Sequence, residues 1–283
     1  MSYPASRPKA SADALRWEIS QRNLERAGGF AHEVTCGDLP SVLYQEQERQ
    51  HGNFLAASYR RICARPDWRR RLAKSYTAGQ QLARSWERTR RELDCANSSD
   101  ALLMNVFCYP RLLRRPALCA VLGVEPGLRP QFGFRPRIPF SNGNADRTEM
   151  DMKLGDLLVE AKLTEGSFQS ASLRLLARYR DVDEVFDRAE LPATGETFES
   201  YQLIRGVLAA YCRDCSFIVL CDGRRADLIE KWFRILRAVR ESSLRSRLAI
   251  LTWQELAEAL PKELRIFLAA KYGIVPDRDA RVR

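Results

Sequence analysis

Between Thr148 and Glu165 the chain reads TEMDMKLGDLLVEAKLTE, and no other stretch restricts the possible folds as much. Met150, Met152 and Leu154 alternate with Glu149, Asp151 and Lys153; beyond Gly155-Asp156, Leu157, Val159, Ala161 and Leu163 alternate with Leu158, Glu160 and Lys162. A period of two on both sides of a glycine-containing pair is the pattern of a β-hairpin with one apolar face. Glycine supplies the positive φ of a type II′ turn, which sets residue 154 opposite 157, 152 opposite 159, 151 opposite 160 and 149 opposite 162. Asp151 then faces Glu160 with Cβ atoms roughly 4.5–5.5 Å apart, a like-charge pair that is normally destabilising.

A divalent cation relieves that repulsion, and Mg²⁺ takes one or two carboxylates together with water and substrate phosphate oxygens. The spacing thus outlines a phosphoryl-transfer site. Asp151 and Glu160 would hold the metal, Lys162 would orient the attacking water or stabilise developing negative charge, and Glu149 would be an accessory acid. A surface hairpin whose charged face meets solvent fits the same alternation, so both readings stand at this level.

The flanking sequence supplies the setting. Residues 1–12 read as a flexible tail and 13–97 as a helical, Arg-rich extension, with helices at Leu39–Phe54, Leu55–Cys63 and a long basic one at Trp68–Leu93. A short apolar helix at Ala101–Tyr109 ends at Pro110, after which prolines and glycines interrupt the chain. Beyond the hairpin come a helix at Phe168–Phe186, a loop at 192–196, a helix at Tyr201–Tyr211 and an apolar strand at Ser216–Cys221. A helix at Asp227–Arg240, a strand at Leu248–Leu251 and two helices between Trp253 and Tyr272, parted near Pro261, complete the chain. Helices alternating with short buried strands predict an α/β fold: a mixed central sheet flanked by helices, in a domain spanning 98–283.

Charge points to a polyanionic partner. The chain has 46 Lys and Arg against 36 Asp and Glu, a net +10, and eleven basic residues between Arg60 and Arg91 face only Asp67 and Glu87. Arg69, Arg70 and Arg71 are the candidate backbone-phosphate contacts there, while Trp68, Tyr76 and Trp86 fit an apolar helix face better than a base-stacking row. Gln202 and, one turn on, Arg205 are candidate contacts to substrate phosphate or to a metal-bound water. Only two histidines are present, which excludes multi-histidine metal sites. Cys212-Arg213-Asp214-Cys215 is a lone CxxC without further ligands, read as structural thiols. No apolar run is long enough to span a membrane, and the polar start MSYPASRPKA lacks a secretory pattern, so a cytoplasmic location is expected.

Asp151, an eight-residue gap, then Glu160-Ala161-Lys162 resembles the D…ExK signature of the PD-(D/E)XK, or restriction-endonuclease-like, nuclease superfamily, with EMD and LLVEAKLTE as its second and third core strands. The resemblance spans about Ser98 to Leu251. Ser99 and Asn105 in SSDALLMNVF, and Gln202 and Arg205 in YQLIRGVLAAY, resemble flanking helices of uncharacterised bacterial members. It implies that Asp151 and Glu160 ligate Mg²⁺ or Mn²⁺, that Lys162 assists the attacking water, and that Asp100 or Asn105 takes the place of an acid on the first core helix. The expected activity is metal-dependent hydrolysis of nucleic acid, DNA by preference, with no membrane partner and a homodimer admissible. The alternative is a catalytically silent module of the same fold that binds nucleic acid or a partner protein.

Overall fold

Alternating burial along Met150–Leu154 and complete burial of Leu157–Ala161 set the two hairpin strands in different positions, one flanking and one central. In the computed structural model, which describes residues 11–35, 40–75 and 91–276, they belong to a five-stranded mixed sheet. Its strands are β1 (Gln131–Phe134), β2 (Met150–Leu154), β3 (Leu157–Ala161), β4 (Ser216–Cys221) and β5 (Leu248–Thr252), in the order β5-β4-β3-β2-β1. β1 is antiparallel to β2 and β2 to β3, whereas β4 runs parallel to both β3 and β5. Gly155 turns the hairpin at φ +59°. The ladder pairs 154 with 157, 153 with 158 and 152 with 159, the register that a two-residue turn dictates.

The parallel strands need crossovers, and helices α1 (Tyr201–Arg213) and α2 (Ala226–Ala238) supply them. Their apolar faces, including Leu203, Ile204, Val207, Trp232 and Ile235, form one core with Leu158, Phe217, Val219 and Cys221 of the sheet. Gly206 lets α1 approach β4, because a Cβ there would lie 2.3 Å from the buried Phe217 ring.

The chain divides into two units, and the boundary differs from the one expected at residue 98. One unit is Gln131–Thr252; the other joins Ala10–Pro130 to the segment from Trp253 onward. In that second unit the helix Ser99–Phe107 is bound to residues before it. Asn105 accepts from the Leu55 amide (2.8 Å) and donates to the Asn53 carbonyl (2.9 Å). The C-terminal helix Lys262–Tyr272 returns to helix Ala12–Ala27, where Lys271 donates to Asn23. Such chain returns leave no mark in local sequence pattern. Among the described residues no helix is long and apolar enough to cross a membrane.

Three expected helices take other forms. The segment 39–54 carries strands Val42–Tyr44, Glu46–Gln47 and Gln50–His51, with Val42 and Tyr44 inward, because Val42–Tyr44 pairs with His32–Val34 and Glu46–Gln47 with Gln50–His51. In place of one helix at 68–93, helix Pro66–Arg71 stops and Ser75 bridges antiparallel to Arg91; residues 76–90, with Tyr76 and Trp86, lie outside the described residues, as do residues 1–10 of the expected tail. The segment 168–186 is broken into strand Ser170–Ser172 and helical turns at Leu173–Leu176 and Val182–Val185, because Ser170–Ser172 pairs with Thr197–Glu199.

Two stability effects follow from this packing. Gly206→Ala gains up to about 1 kcal/mol of helix propensity but overpacks against Phe217; urea denaturation is expected to show a net loss of about 1–3 kcal/mol. Lys271 is fully buried between the rings of Tyr44 (4.8 Å) and Tyr272 (5.0 Å), and burial, then Arg26, push its ammonium well below its ordinary pKa. The unfolded chain therefore binds the proton that the folded chain refuses, and stability falls as pH drops below 10.5, the ordinary value. Lys271→Met removes that loss, so its Tm is expected to exceed the wild type's by a margin larger at pH 6 than at pH 9; an equal margin at both would refute the assignment.

Candidate functional site

Glu160 sits on central strand β3 at 2% exposure, and Lys162 follows the strand's end at 5%. A carboxylate so placed is costly unless paired, and Lys162 Nζ donates to Glu160 Oε1 at 2.8 Å. Lys162's own amide donates to the Leu220 carbonyl of β4 (2.7 Å), extending the pairing with β4 that runs along all of β3, whereas the pairing with β2 stops at Val159. Asp151 fills the gap: its Oδ2 accepts from the Ala161 amide at 2.8 Å. The β2–β3 ladder itself closes at Met152–Val159, one step short of the expected pairing of Asp151 with Glu160, and it is this side-chain bond to the Ala161 amide that joins Asp151 to β3.

Burial alone would lower the Lys162 pKa, but Glu160, Glu165 and Asp151 together, with the Glu160 hydrogen bond, hold it above its ordinary value. Lys162 is therefore a cation bonded to one carboxylate and in the field of two more, with the Phe168 ring centroid 5.8 Å from the ammonium. Glu165 and Phe168 were not singled out from sequence, although Glu165 closes the charged segment three residues beyond Lys162. Arg225 left no sequence signal. Fully buried, it donates to the carbonyls of Glu165 (2.8 Å) and Leu163 (3.4 Å) and forks onto Asp227 (2.8 and 2.9 Å). It thus ties the segment after Lys162 to the start of α2.

Glu149 does not oppose Lys162. It lies just before β2, its carboxylate 3.9 Å from Arg135 and its carbonyl accepting from Arg205 Nη2 at 3.1 Å; the ladder has ended before the expected 149–162 pair. Arg205 is 3% exposed and anchors backbone. Its Nε and the Oε1 of Gln202, three residues apart on α1, are buried without hydrogen-bond partners. In the other unit, Asp100 is held below the usual carboxylate range: Arg71 and Lys74, both bonded to it, outweigh its burial. Arg71 is therefore engaged by a carboxylate, while Arg69 and Arg70 are exposed. Asn105 is taken up by its backbone bonds, and Ser99 is buried in the first turn of its helix.

Asp151 and Glu160 supply the hard oxygen donors that Mg²⁺ or Mn²⁺ takes, and two carboxylates suffice where water and phosphate complete the shell. A fuller cage is absent: among the described residues no three Asp, Glu, His or Cys side chains are grouped as metal ligands. The pair thus fits a cation that substrate helps to hold. Cys212 and Cys215 are free thiols, with Cys215 pushed up to about 11 by burial, the opposite of an activated thiolate.

A family model described as restriction endonuclease associating with ARP matches residues 31–273, in agreement with the resemblance carried by Asp151 and Glu160-Ala161-Lys162. No curated protein and no solved structure matches the chain. The match begins well before Ser98, so it takes in most of the N-terminal segment that the motif leaves out.

The Arg225 clamp is testable apart from any activity. Arg225→Met takes this donor from the buried Leu163 carbonyl and the partly buried Glu165 carbonyl, and its urea midpoint is expected to fall by the equivalent of about 2–4 kcal/mol. A loss below about 0.5 kcal/mol would mean that the segment after Lys162 is held by other contacts.

Proposed function

This chain belongs to the family of restriction endonucleases associating with ARP, and from that premise we propose that it is a metal-dependent nuclease that hydrolyses phosphodiester bonds, with DNA as the expected substrate. The observation that carries the reading is the buried Lys162 ammonium held 2.8 Å from Glu160 and within the field of Asp151. A buried charge cluster of this kind gives little stability for its cost, whereas it is what a phosphoryl-transfer site requires.

In this reading Asp151 and Glu160 hold the cation through carboxylate oxygens. A Mg²⁺ or Mn²⁺ ion there would supply Lewis-acid polarisation of the scissile phosphate and a lowered pKa for water. Lys162, being cationic, does not take the proton from the nucleophile; it donates a hydrogen bond to the attacking water and stabilises negative charge as it develops on phosphate. Phe168 excludes solvent from one side of the ammonium, and Arg225, through the Leu163 and Glu165 carbonyls, fixes the backbone that aims Lys162. Gln202, whose amide oxygen lacks a partner, would accept from an ordered water or substrate hydroxyl. Exposed Arg69 and Arg70 would contribute salt-sensitive phosphate contacts.

The second reading, a silent module of the same fold that binds nucleic acid, is favoured by the lack of a third grouped acid among the described residues. Cleavage of plasmid, linear duplex, single-stranded DNA and RNA with Mg²⁺, Mn²⁺ or EDTA separates the two. Wild type is expected to cut only with metal, with Asp151→Ala and Lys162→Ala each slower by at least about 100-fold. Cutting that survives EDTA or the Asp151 substitution sinks the nuclease reading, and salt-sensitive binding by all three proteins without cleavage establishes the module.

A further inference from the structure

Five arginines are among the residues that line one cavity of about 370 Å³ in the unit that contains the N-terminal helices. Arg61 and Arg65 come from the end of helix Ala56–Cys63 and the residues after it, Arg111 and Arg114 from the turn that follows Tyr109, and Arg129 from beside Pro130. No acidic side chain is in the lining; Asp67, the acid nearest in sequence, is exposed and outside it. Elsewhere Arg71 is paired with Asp100, Arg224 with Asp222 and Arg225 with Asp227, while the buried Arg205 donates to the Glu149 carbonyl. Among the described residues none of the five has a carboxylate partner, and the one side-chain hydrogen bond they make is from Arg61 to the Tyr109 carbonyl (3.0 Å).

The site is built from its base upward. Trp68 is 2% exposed, its Nε1 donates to the Pro130 carbonyl at 3.1 Å, and its ring lies 4.8 Å from the Arg65 guanidinium and 5.6 Å from that of Arg61. The indole thus holds both cations in place by cation–π contact. Burial, then Arg65, Arg114 and Arg129 disfavour the charge on Arg61, so the cluster repels itself while empty of anions. Planar guanidinium forks match phosphate oxygens in geometry as well as charge. A volume of this size falls in the range of small-ligand pockets and exceeds what one phosphate group fills.

We propose that this cavity binds a ligand carrying two or more phosphate groups, with Arg61 and Arg65, fixed on Trp68, and Arg111, Arg114 and Arg129 taking the phosphate oxygens. The proposal stands independently of the nuclease reading. Its ligand chemistry is shared by nucleoside polyphosphates and by successive phosphates of a nucleic-acid strand, and the test tells these sources apart.

Isothermal titration of the full chain at 150 mM salt would use ATP, inorganic pyrophosphate and a ten-nucleotide single strand in turn. One site per chain is expected. Affinity is expected to fall about tenfold or more in Arg65→Gln and in the exposed pair Arg114→Gln/Arg129→Gln, which does not disturb Trp68. Arg234→Gln/Arg237→Gln, an equal charge loss from exposed positions on α2, is expected to bind as wild type. Binding of ATP and pyrophosphate identifies a small polyphosphate ligand; binding of the oligonucleotide alone identifies a strand. Failure of all three probes, or an equal loss in the Arg234/Arg237 control, overturns the proposal.

Discussion

A carboxylate and an ammonium, Glu160 and Lys162, are buried together at the end of the central strand, and the surrounding architecture answers to that pair. Desolvating two charges costs several kcal/mol per ion, and their mutual attraction seldom recovers it. The protein spreads the load: Asp151 and Glu165 add negative charge around the ammonium, and Phe168 adds the quadrupole of a ring face. An apolar pair of equal volume often serves a protein interior at least as well. The arrangement is therefore a constraint that the fold accommodates, which is why it carries the functional argument.

Accommodation is visible in the backbone. β3 pairs with β4 along its whole length, but its antiparallel pairing with β2 stops at Val159, and the Asp151 side chain takes the Ala161 amide that this ladder leaves over. Arg225 then secures the departing segment to the start of α2. Arginine serves two different ends in this chain. Arg71, Arg224 and Arg225 are neutralised by neighbouring carboxylates and act as struts, whereas the five around Trp68 have no carboxylate partner among the described residues. A net charge of +10 does not distinguish these uses; partner geometry does.

Much of the site was legible in sequence because it is local. Asp151, Glu160 and Lys162 lie within one hairpin, where a period of two and a glycine turn define which side chains share a face. β4 and the two C-terminal helices were legible for a similar reason: a strongly apolar run and a proline break leave few alternatives. Glu149 shows the limit, since register counting assumes that pairing continues and the ladder stops first. The segments 39–54 and 168–186 were misread because their composition tolerates a helix, while Val42–Tyr44 and Ser170–Ser172 gain more from pairing with strands distant in sequence.

By itself, then, the sequence determined the hairpin, its register near the turn, the alternation of helices and strands, and the acid-acid-lysine set, all of which arise from interactions a few residues apart. Tertiary structure alone decided that helix Ser99–Phe107 and the C-terminal helices belong with the N-terminal segment, that Arg225 clamps the strand carrying Lys162, that Asp100 and Arg71 neutralise each other, and that arginines from three separate segments share one cavity. Each of these depends on where the chain returns. Return is set by the burial of whole faces against one another, a sum over many distant side chains that no local spacing records.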